Sequence, residues 1–301
     1  MTKILITGGS GLIGSTISDI LLKNNYEPVW LSREAGTSAN GIKKFKWDLK
    51  KKYIDEKAFE GVESIIHLAG TGIADKRWTT AYKKEIIDSR IKSSELLFDY
   101  ISKNNYNIKN FVGGSATGYY NVNDDKVFTE ADKPGTDFLA QTCVLWEKSY
   151  EPFIDRGIRT CIIRTGIVLS NKEGAYKKMS PPFKIGFGAA IASGQQNFPW
   201  IHISDLANIF VTAILNEKLI GVYNGVSSEI INNKTFSKQL AKSFHKPFFL
   251  PNVPGFLLKL VMGESAIMVT EGVKVSNQKI KNTGFKFEFE KAEDALKELA
   301  K

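Results

Sequence analysis

The chain has 301 residues, 43% of them hydrophobic and 24% charged, with a formal net charge of +9. That balance suits a large packed core and excludes a disordered or low-complexity chain. No apolar stretch approaches the ~20 residues of a membrane span, and two cysteines with three histidines exclude a disulfide framework and leave no metal site to expect. The lysines are scattered. Their densest cluster, Lys43, Lys44, Lys46 and Lys50 to Lys52, encloses Phe45 and Trp47, but the alternation there reads as a strand with one buried face rather than a basic nucleic-acid surface. Neither nucleic acid nor membrane is expected as a partner, and a solvated basic surface suits anionic ligands.

In chain order, Lys3–Thr7 reads as a buried strand that runs into Gly8-Gly-Ser-Gly-Leu-Ile-Gly14. Four glycines between a strand and a helix have a mechanism: Gly8 permits the turn, Gly11 lets backbone approach a pyrophosphate, and Gly14 lets the helix pack closely on the sheet. Gly8, Ser10, Gly11, Leu12, Ile13 and Gly14 are therefore the expected phosphate cradle, at the positive end of a helix spanning Ile13–Asn24. Strand two is Glu27–Ser32 and ends at Ser32-Arg33, where an arginine in place of an acid suits the 2′-phosphate of NADP. Strand three, Lys44–Asp48, places Asp48 and Leu49 beside the adenine. Strand four, Ser64–Gly70, offers Leu68, Ala69 and Gly70 as the next edge, where small residues admit close backbone approach.

A long helix is expected over Thr79–Lys103, a fifth strand over Asn110–Ser115, a helix over Thr142–Ile154 and a sixth strand over Thr160–Arg164. Regular alternation predicts an α/β, Rossmann-type, doubly wound parallel sheet, with ligands at the carboxyl ends of its strands. After Arg164 the regularity fades. Pro199-Trp-Ile-His-Ile-Ser-Asp-Leu206 leads into a helix with Ser204 as N-cap and Asp205 helping to fix its start. A helix follows over Thr235–Phe244, then a proline-rich connection and an edge strand over Gly284–Phe289. Ala292–Ala300 is the last helix. The expected division is 1–235, a cofactor-binding domain with substrate-side insertions from about 170, and 236–301, a small C-terminal substrate-side module.

Thr7-Gly-Gly-Ser-Gly-Leu-Ile-Gly14, with Arg77-Trp78, Ser115-Ala-Thr-Gly-Tyr-Tyr120, Trp146-Glu147, Arg164-Thr-Gly-Ile-Val-Leu169, Trp200-Ile-His-Ile203 and Pro254-Gly-Phe256, resembles the atypical "epimerase family protein" branch of the extended short-chain dehydrogenase/reductases. The resemblance covers essentially the whole chain. It implies a Rossmann fold and an NADP-type cofactor, and no particular substrate. It also implies that Glu85 and Arg90 form a cofactor-contacting pair on the long helix, and that Gly166 and Ile167 pack on the nicotinamide.

The superfamily uses a Tyr-x-x-x-Lys pair and a serine for proton exchange. Ser115 stands where that serine belongs, but Cys143 occupies the tyrosine's place and Glu147 the lysine's. A glutamate raises a neighbouring phenol's pKa instead of lowering it. Tyr119, Tyr120, Cys143 and Glu147 are the candidate substitute acids, Glu147 on the ground that partial desolvation could keep it protonated. Cys161 and His67 read as core. His202 is a structural hydrogen bonder or a substrate contact, and Lys184, Gln195 and Gln196 are polar candidates for the substrate cavity. Three readings stay open: an NADP(H)-binding oxidoreductase with an atypical active site, an epimerase-like enzyme, and a non-catalytic NADP-binding sensor. The expected setting is cytoplasmic, since a strand from residue 3 leaves no room for a signal peptide. A homodimer is kept open.

Overall fold

A computed structural model describes residues 2–122 and 126–301. The strands are β1 (Lys3–Thr7), β2 (Glu27–Ser32), β3 (Gly36–Thr37), β4 (Lys43–Asp48), β5 (Tyr53–Ile54), β6 (Val62–His67), β7 (Asn110–Ala116), β8 (Val127–Phe128), β9 (Arg159–Thr165), β10 (Ile167–Leu169), β11 (Trp200–His202), β12 (Gly221–Gly225) and β13 (Lys274–Val275). The helices are α1 (Leu12–Lys23), α2 (Thr80–Lys103), α3 (Phe138–Lys148), α4 (Glu151–Asp155), α5 (Ala175–Lys184), α6 (Ile203–Leu215), α7 (Asn233–Ser243), α8 (Gly255–Met262), α9 (Ile267–Thr270), α10 (Gln278–Lys281) and α11 (Ala292–Leu299). None of them is long and apolar enough, among the described residues, to cross a membrane.

The main sheet runs β12-β9-β7-β6-β1-β2-β4-β3, parallel throughout except for the edge strand β3, with β5 antiparallel on β4. From β1 the chain builds outward through β2 and β4, then returns to the other side of β1 with β6, β7, β9 and β12. The order reverses between β1 and β6, and in an open parallel sheet that is where a crevice opens at the strand ends. Ile4, Leu5 and Ile6 of β1 are buried on both faces, as a central parallel strand must be. On one face Ile17 and Leu21 of α1 meet Leu206 and Phe210 of α6 over Ile66 and Ile163. On the other, Leu97 and Ile101 of α2 meet Phe153 of α4 over Ile65 and Phe111. A separate cluster joins Tyr176 and Phe183 of α5, Phe236 and Leu240 of α7, and Leu296 of α11.

Four local expectations are corrected. The helix expected over Thr142–Ile154 begins at Phe138, because Asp137 caps it by accepting from the Ala140 N–H at 2.9 Å, and it breaks at Ser149 before the short α4, which carries Pro152 near its start. The cap of α6 is His202, whose Nδ1 accepts from the Ser204 N–H at 3.2 Å. Asp205 does not hold the helix start. Its carboxylate reaches across to accept from the N–H groups of Glu288 and Phe289 at 2.7 and 3.0 Å. With two of its N–H groups so occupied, Gly284–Phe289 joins no ladder; it opens in a turn at Gly284 and bends at Glu288 rather than forming an edge strand. The alternation of phenylalanines there instead serves the core, with Phe287 buried against α6. β12 escaped the sequence reading, since a short Gly-Val-Tyr-Asn-Gly run becomes a strand only where β9 offers it an edge.

Candidate functional site

The crevice at the switch point is built by backbone contact. Gly8 has φ +69°, and any side chain there would lie 3.0 Å from the Leu68 carbonyl. Thr7 Oγ1 accepts from the Leu68 and Ala69 N–H groups, both at 3.1 Å, so its own proton goes to His67 Nδ1 at 2.8 Å. His67 Nε2 then donates to Ser93 Oγ at 3.1 Å, and Ser93 donates to the Arg90 carbonyl. Full burial lowers the His67 pKa to about 3. His67 is therefore a neutral strut that fixes the turn after β6 on the turn after β1.

Gly14 packs on that turn itself rather than on the sheet: a methyl group there would overlap the Gly8 carbonyl and the Gly9 Cα. Gly9, which the sequence reading passed over, lies under the Trp30 ring. Trp30 Nε1 donates to Ser18 Oγ, and Ser18 to the Gly14 carbonyl, so β2 holds the start of α1 in place. The tip of the loop, Ser10 and Gly11, is exposed. No side chain caps α1, and the N–H groups of Leu12, Ile13 and Gly14 lack intrahelical acceptors by helix geometry.

The other expected cofactor residues lie at or just after the ends of β2, β4, β6 and β9 and on α2. Ser32 is half-buried at the end of β2 and Arg33 beside it is exposed. Asp48 accepts from the Lys50 and Lys51 N–H groups at 2.9 and 3.1 Å and so closes a turn. Leu49 and Ala69 pack on the same apolar cluster. Arg90 is buried over the Trp146 ring at 4.7 Å and donates to the Thr71 and Ile86 carbonyls at 3.0 and 2.9 Å. Glu85 is exposed and accepts from Thr71 Oγ1 at 3.3 Å. The pair thus meets at the Gly70–Thr71 turn from two sides. Gly166 is a crossing point with no room for a side chain against the Pro199 carbonyl, to which the Ile167 N–H donates at 2.6 Å.

The candidate chemistry lies one strand further on. β7 and β9 pair so that Ser115 stands opposite Arg164. Ser115 Oγ donates to Glu147 Oε1 at 2.6 Å. Arg164 grips the same carboxylate with Nε on Oε1 and Nη2 on Oε2, both at 2.8 Å. Its Nη1 donates to the Tyr120 hydroxyl at 3.0 Å, and Tyr120 donates to Asn224 Oδ1 at 2.7 Å. The guanidinium carbon lies 3.4 Å from the centre of the Tyr119 ring. A bidentate guanidinium–carboxylate pair is among the strongest polar contacts available. Hydrogen bonding to Glu147 raises the Arg164 pKa against the opposing effect of burial.

This geometry bears on each proposed acid. The Glu147 carboxylate accepts from Ser115 and Arg164, so both its oxygens are already engaged inside the protein. Cys143 is buried with Sγ 3.7 Å from the Ala116 carbonyl. Burial, and secondarily the Glu147 charge, pushes its thiol up to about 12, so it is a wall residue and not a thiolate. Burial raises Tyr120 to about 12 as well. Tyr119 is half-buried beside the Arg164 guanidinium. The sequence reading assigned no chemistry to Arg164. A charged residue closing the apolar run Thr160-Cys-Ile-Ile-Arg164 was the signal, because buried charges demand partners.

His202 contacts Glu298 through Nε2 at 3.2 Å and, with Nδ1 capping α6, is wholly structural. Gln196 straps two loops by donating to the Ile191 and Val269 carbonyls. Gln195 accepts from Asn232, and Lys184 lies over Phe244. These three do not converge on Ser115.

The profile of the NAD dependent epimerase/dehydratase family matches residues 4–224, and that of a domain of unknown function, DUF1731, matches residues 253–299. Epimerase family protein SAR0825 of Staphylococcus aureus (strain MRSA252) is 33% identical over 301 residues, 99% of each chain. Epimerase family protein SDR39U1 of Mus musculus is 31% identical over 302 residues, again 99% of each. A crystal structure of human epimerase family protein SDR39U1 (isoform 2) with NADPH superposes with a TM-score of 0.88 at 30% identity, covering 99% of both chains. UDP-N-acetylglucosamine 4-epimerase from Bacillus cereus, 19% identical with a TM-score of 0.79 over 100% of this chain and 98% of its own, shares the fold. Matched by the family model over residues 4–224 and by relatives over nearly its whole length, the chain belongs to the NAD dependent epimerase/dehydratase family, in the branch of epimerase family proteins.

Proposed function

We propose that the chain is an NADP(H)-binding oxidoreductase of the extended short-chain dehydrogenase type, working without the Tyr-x-x-x-Lys pair. The observation that carries the reading is the cradle at the switch point, where Gly8 at positive φ is pressed on Leu68 beside the uncapped start of α1. Those residues fit a dinucleotide: a side chain on Gly8 would collide with the loop, and the first-turn N–H groups favour an anion. Ser10 to Gly14 would hold the pyrophosphate, Ser32 and Arg33 the 2′-phosphate, and Asp48 and Leu49 the adenine side. Leu68, Ala69 and Gly70, backed by Glu85 and Arg90, would line the next edge, with Gly166 and Ile167 at the nicotinamide. The NADPH present with the human relative supports the phosphorylated form. The two cysteines, buried and free, go with a reducing, cytoplasmic setting.

Bound there, a nicotinamide supplies or takes a hydride. The chain's own part follows from its hydrogen bonds. Ser115, its proton given to Glu147, offers lone pairs to a substrate hydroxyl and orients it. Glu147 and Arg164 hold that serine in one rotamer. Tyr119, half-buried over the Arg164 guanidinium, is the phenol left to carry a proton. A second reading, NADP(H) binding without turnover, is favoured by one observation: Glu147, Cys143 and Tyr120 are each either paired as an acceptor or held protonated by burial.

The test is titration of NADPH and NADH into wild type and Arg33→Ala, beside NADPH oxidation with a panel of aldehydes, ketones, quinones and sugar nucleotides. Arg33→Ala should weaken NADPH about 10–100-fold, the value of about 1.4–2.8 kcal/mol of charge-assisted contact, and leave NADH nearly unchanged. Equal losses overturn the 2′-phosphate assignment. Turnover that Tyr119→Phe lowers by about 100-fold or more supports the oxidoreductase, and tight binding with no turnover supports the second reading.

A further inference from the structure

Residues 174–204 and 230–263 hold eight lysines and no aspartate or glutamate. Nearly all of the chain's formal +9 therefore lies on these two stretches, and the rest of the chain is close to balanced. The same stretches carry apolar side chains that no described residue covers. No residue of α8 is buried. Phe256, Leu257, Leu260 and Val261 on it are 42% to 73% exposed, and Phe187 and Phe249 on neighbouring loops 64% and 70%. Folding brings the two stretches side by side: the Val253 N–H donates to the Ala190 carbonyl at 2.8 Å, the Ala192 N–H to the Val253 carbonyl at 2.9 Å, and Gly186 lies against Pro247. Lys184 and Lys246 flank that last contact and Lys234 packs on Gly194. All three are exposed, so cations border the apolar side chains.

At about 100° per residue the four α8 side chains fall in an arc of about 140°, and Lys259 points about 130° away from its middle. Glu264, the first acid after the helix, is paired with Lys83. The face is thus apolar at its centre, cationic at its border and without a free acid on the helix. A second copy would bring the same lysines against these. A nucleic acid would answer the lysines and leave the aliphatic side chains in water. An anionic bilayer answers both, and a surface contact needs no spanning segment. We infer that α8 docks the chain on an anionic membrane surface. Phe256, Leu260 and their neighbours enter the acyl boundary to a depth of about 5–10 Å, and Lys184, Lys234 and Lys246 reach the lipid phosphates. Each lysine held near such a surface raises binding about fivefold. That electrostatic share weakens as salt rises, while the share from apolar insertion does not.

Flotation of the full chain with vesicles of phosphatidylcholine, alone or mixed in equal parts with phosphatidylglycerol, tests the inference at low and high sodium chloride. Binding is expected to the mixed vesicles, weakened by salt and much weaker on phosphatidylcholine alone. Phe256→Glu with Leu260→Glu should weaken it about 100-fold or more, since burying each of these side chains is worth about 10-fold or more. Tm should not change, because both side chains are already exposed. Lys184→Gln with Lys246→Gln should weaken binding about 25-fold. A nitrobenzoxadiazole label on Leu260→Cys should shift its emission to the blue with the mixed vesicles, the native thiols of Cys143 and Cys161 being buried. No flotation with the mixed vesicles, equal flotation with phosphatidylcholine alone, or binding that the lysine changes remove and the Phe256 and Leu260 changes do not would each overturn it. So would a dimer in sedimentation velocity that the Phe256 and Leu260 changes dissociate, since a second copy would then cover the face.

Discussion

Glu147→Gln is the change that interrogates the site most directly. Arg164 is 3% exposed and Glu147 12% exposed, so the pair is nearly out of water and the guanidinium cannot turn to solvent when its partner loses charge. Removing one member of a buried pair costs about 3–5 kcal/mol, most of it the stranded charge. The amide keeps one acceptor oxygen, so about 3 kcal/mol is expected. At about 2–4 °C per kcal/mol for a chain somewhat smaller than this one, Tm should fall by about 5–10 °C. Replacing both members, Glu147→Gln with Arg164→Met, removes the stranded charge along with the pair. The double variant should then lose less than the sum of the singles by about 2 kcal/mol or more. Urea unfolding followed by circular dichroism at neutral pH reads all three free energies. Losses that add within about 0.5 kcal/mol would show that the two side chains do not act as one unit, and the account of how Ser115 is oriented would go with it.

Three further outcomes follow from the same contacts. Gly8→Ala forces a side chain into a positive-φ position against Leu68, so it should cost about 1–2 kcal/mol of stability and weaken NADPH, as isothermal titration would show. His67 has its folded pKa lowered to about 3 from 6.5; the unfolded chain therefore binds the extra proton first, and stability should fall as pH drops from 6.5 toward 3 by about 1.4 kcal/mol per unit, a slope that His67→Asn should flatten in pH-dependent denaturation. Asp205→Asn weakens two charge-assisted bonds to Glu288 and Phe289 and should speed amide exchange over 284–291 while β1 and β6 stay protected.

What the sequence made legible is what local chemistry decides. Lys3–Thr7 could only be a buried strand, and the glycines after it could only be a turn, because both signals lie within a few residues of each other. The whole alternation up to Arg164 follows from such local patterns. What stayed hidden depends on contacts distant in the chain. Gly9 is needed because Trp30 covers it, Asp205 matters to residues more than 80 positions away, and β12 exists because β9 has a free edge. The partner of Glu147 was hidden for the same reason: the arginine that answers it comes from a strand, 17 residues away in the chain.

That arginine changes what the departure from the superfamily pattern means. A lysine on the helix beside a tyrosine puts a free cation next to a phenol. Here the helix supplies Glu147 and the cation sits on β9 as Arg164, already neutralised by two parallel hydrogen bonds. The site has kept a cation at its centre but bound its charge inside the protein. Two consequences follow. Proton transfer that relies on a stabilised phenolate at the Cys143 position has no counterpart, since that position holds a thiol kept protonated by burial. The serine, by contrast, is more firmly fixed than a lone hydroxyl at a strand end, because its proton has one destination, 2.6 Å away. A site with an oriented acceptor and a restrained proton supply is suited to holding a substrate hydroxyl against a nicotinamide. Any turnover should therefore depend more steeply on the geometry of Ser115 than on the acidity of a neighbouring group, and Ser115→Ala should remove it where a change of pH between 6 and 8 does not.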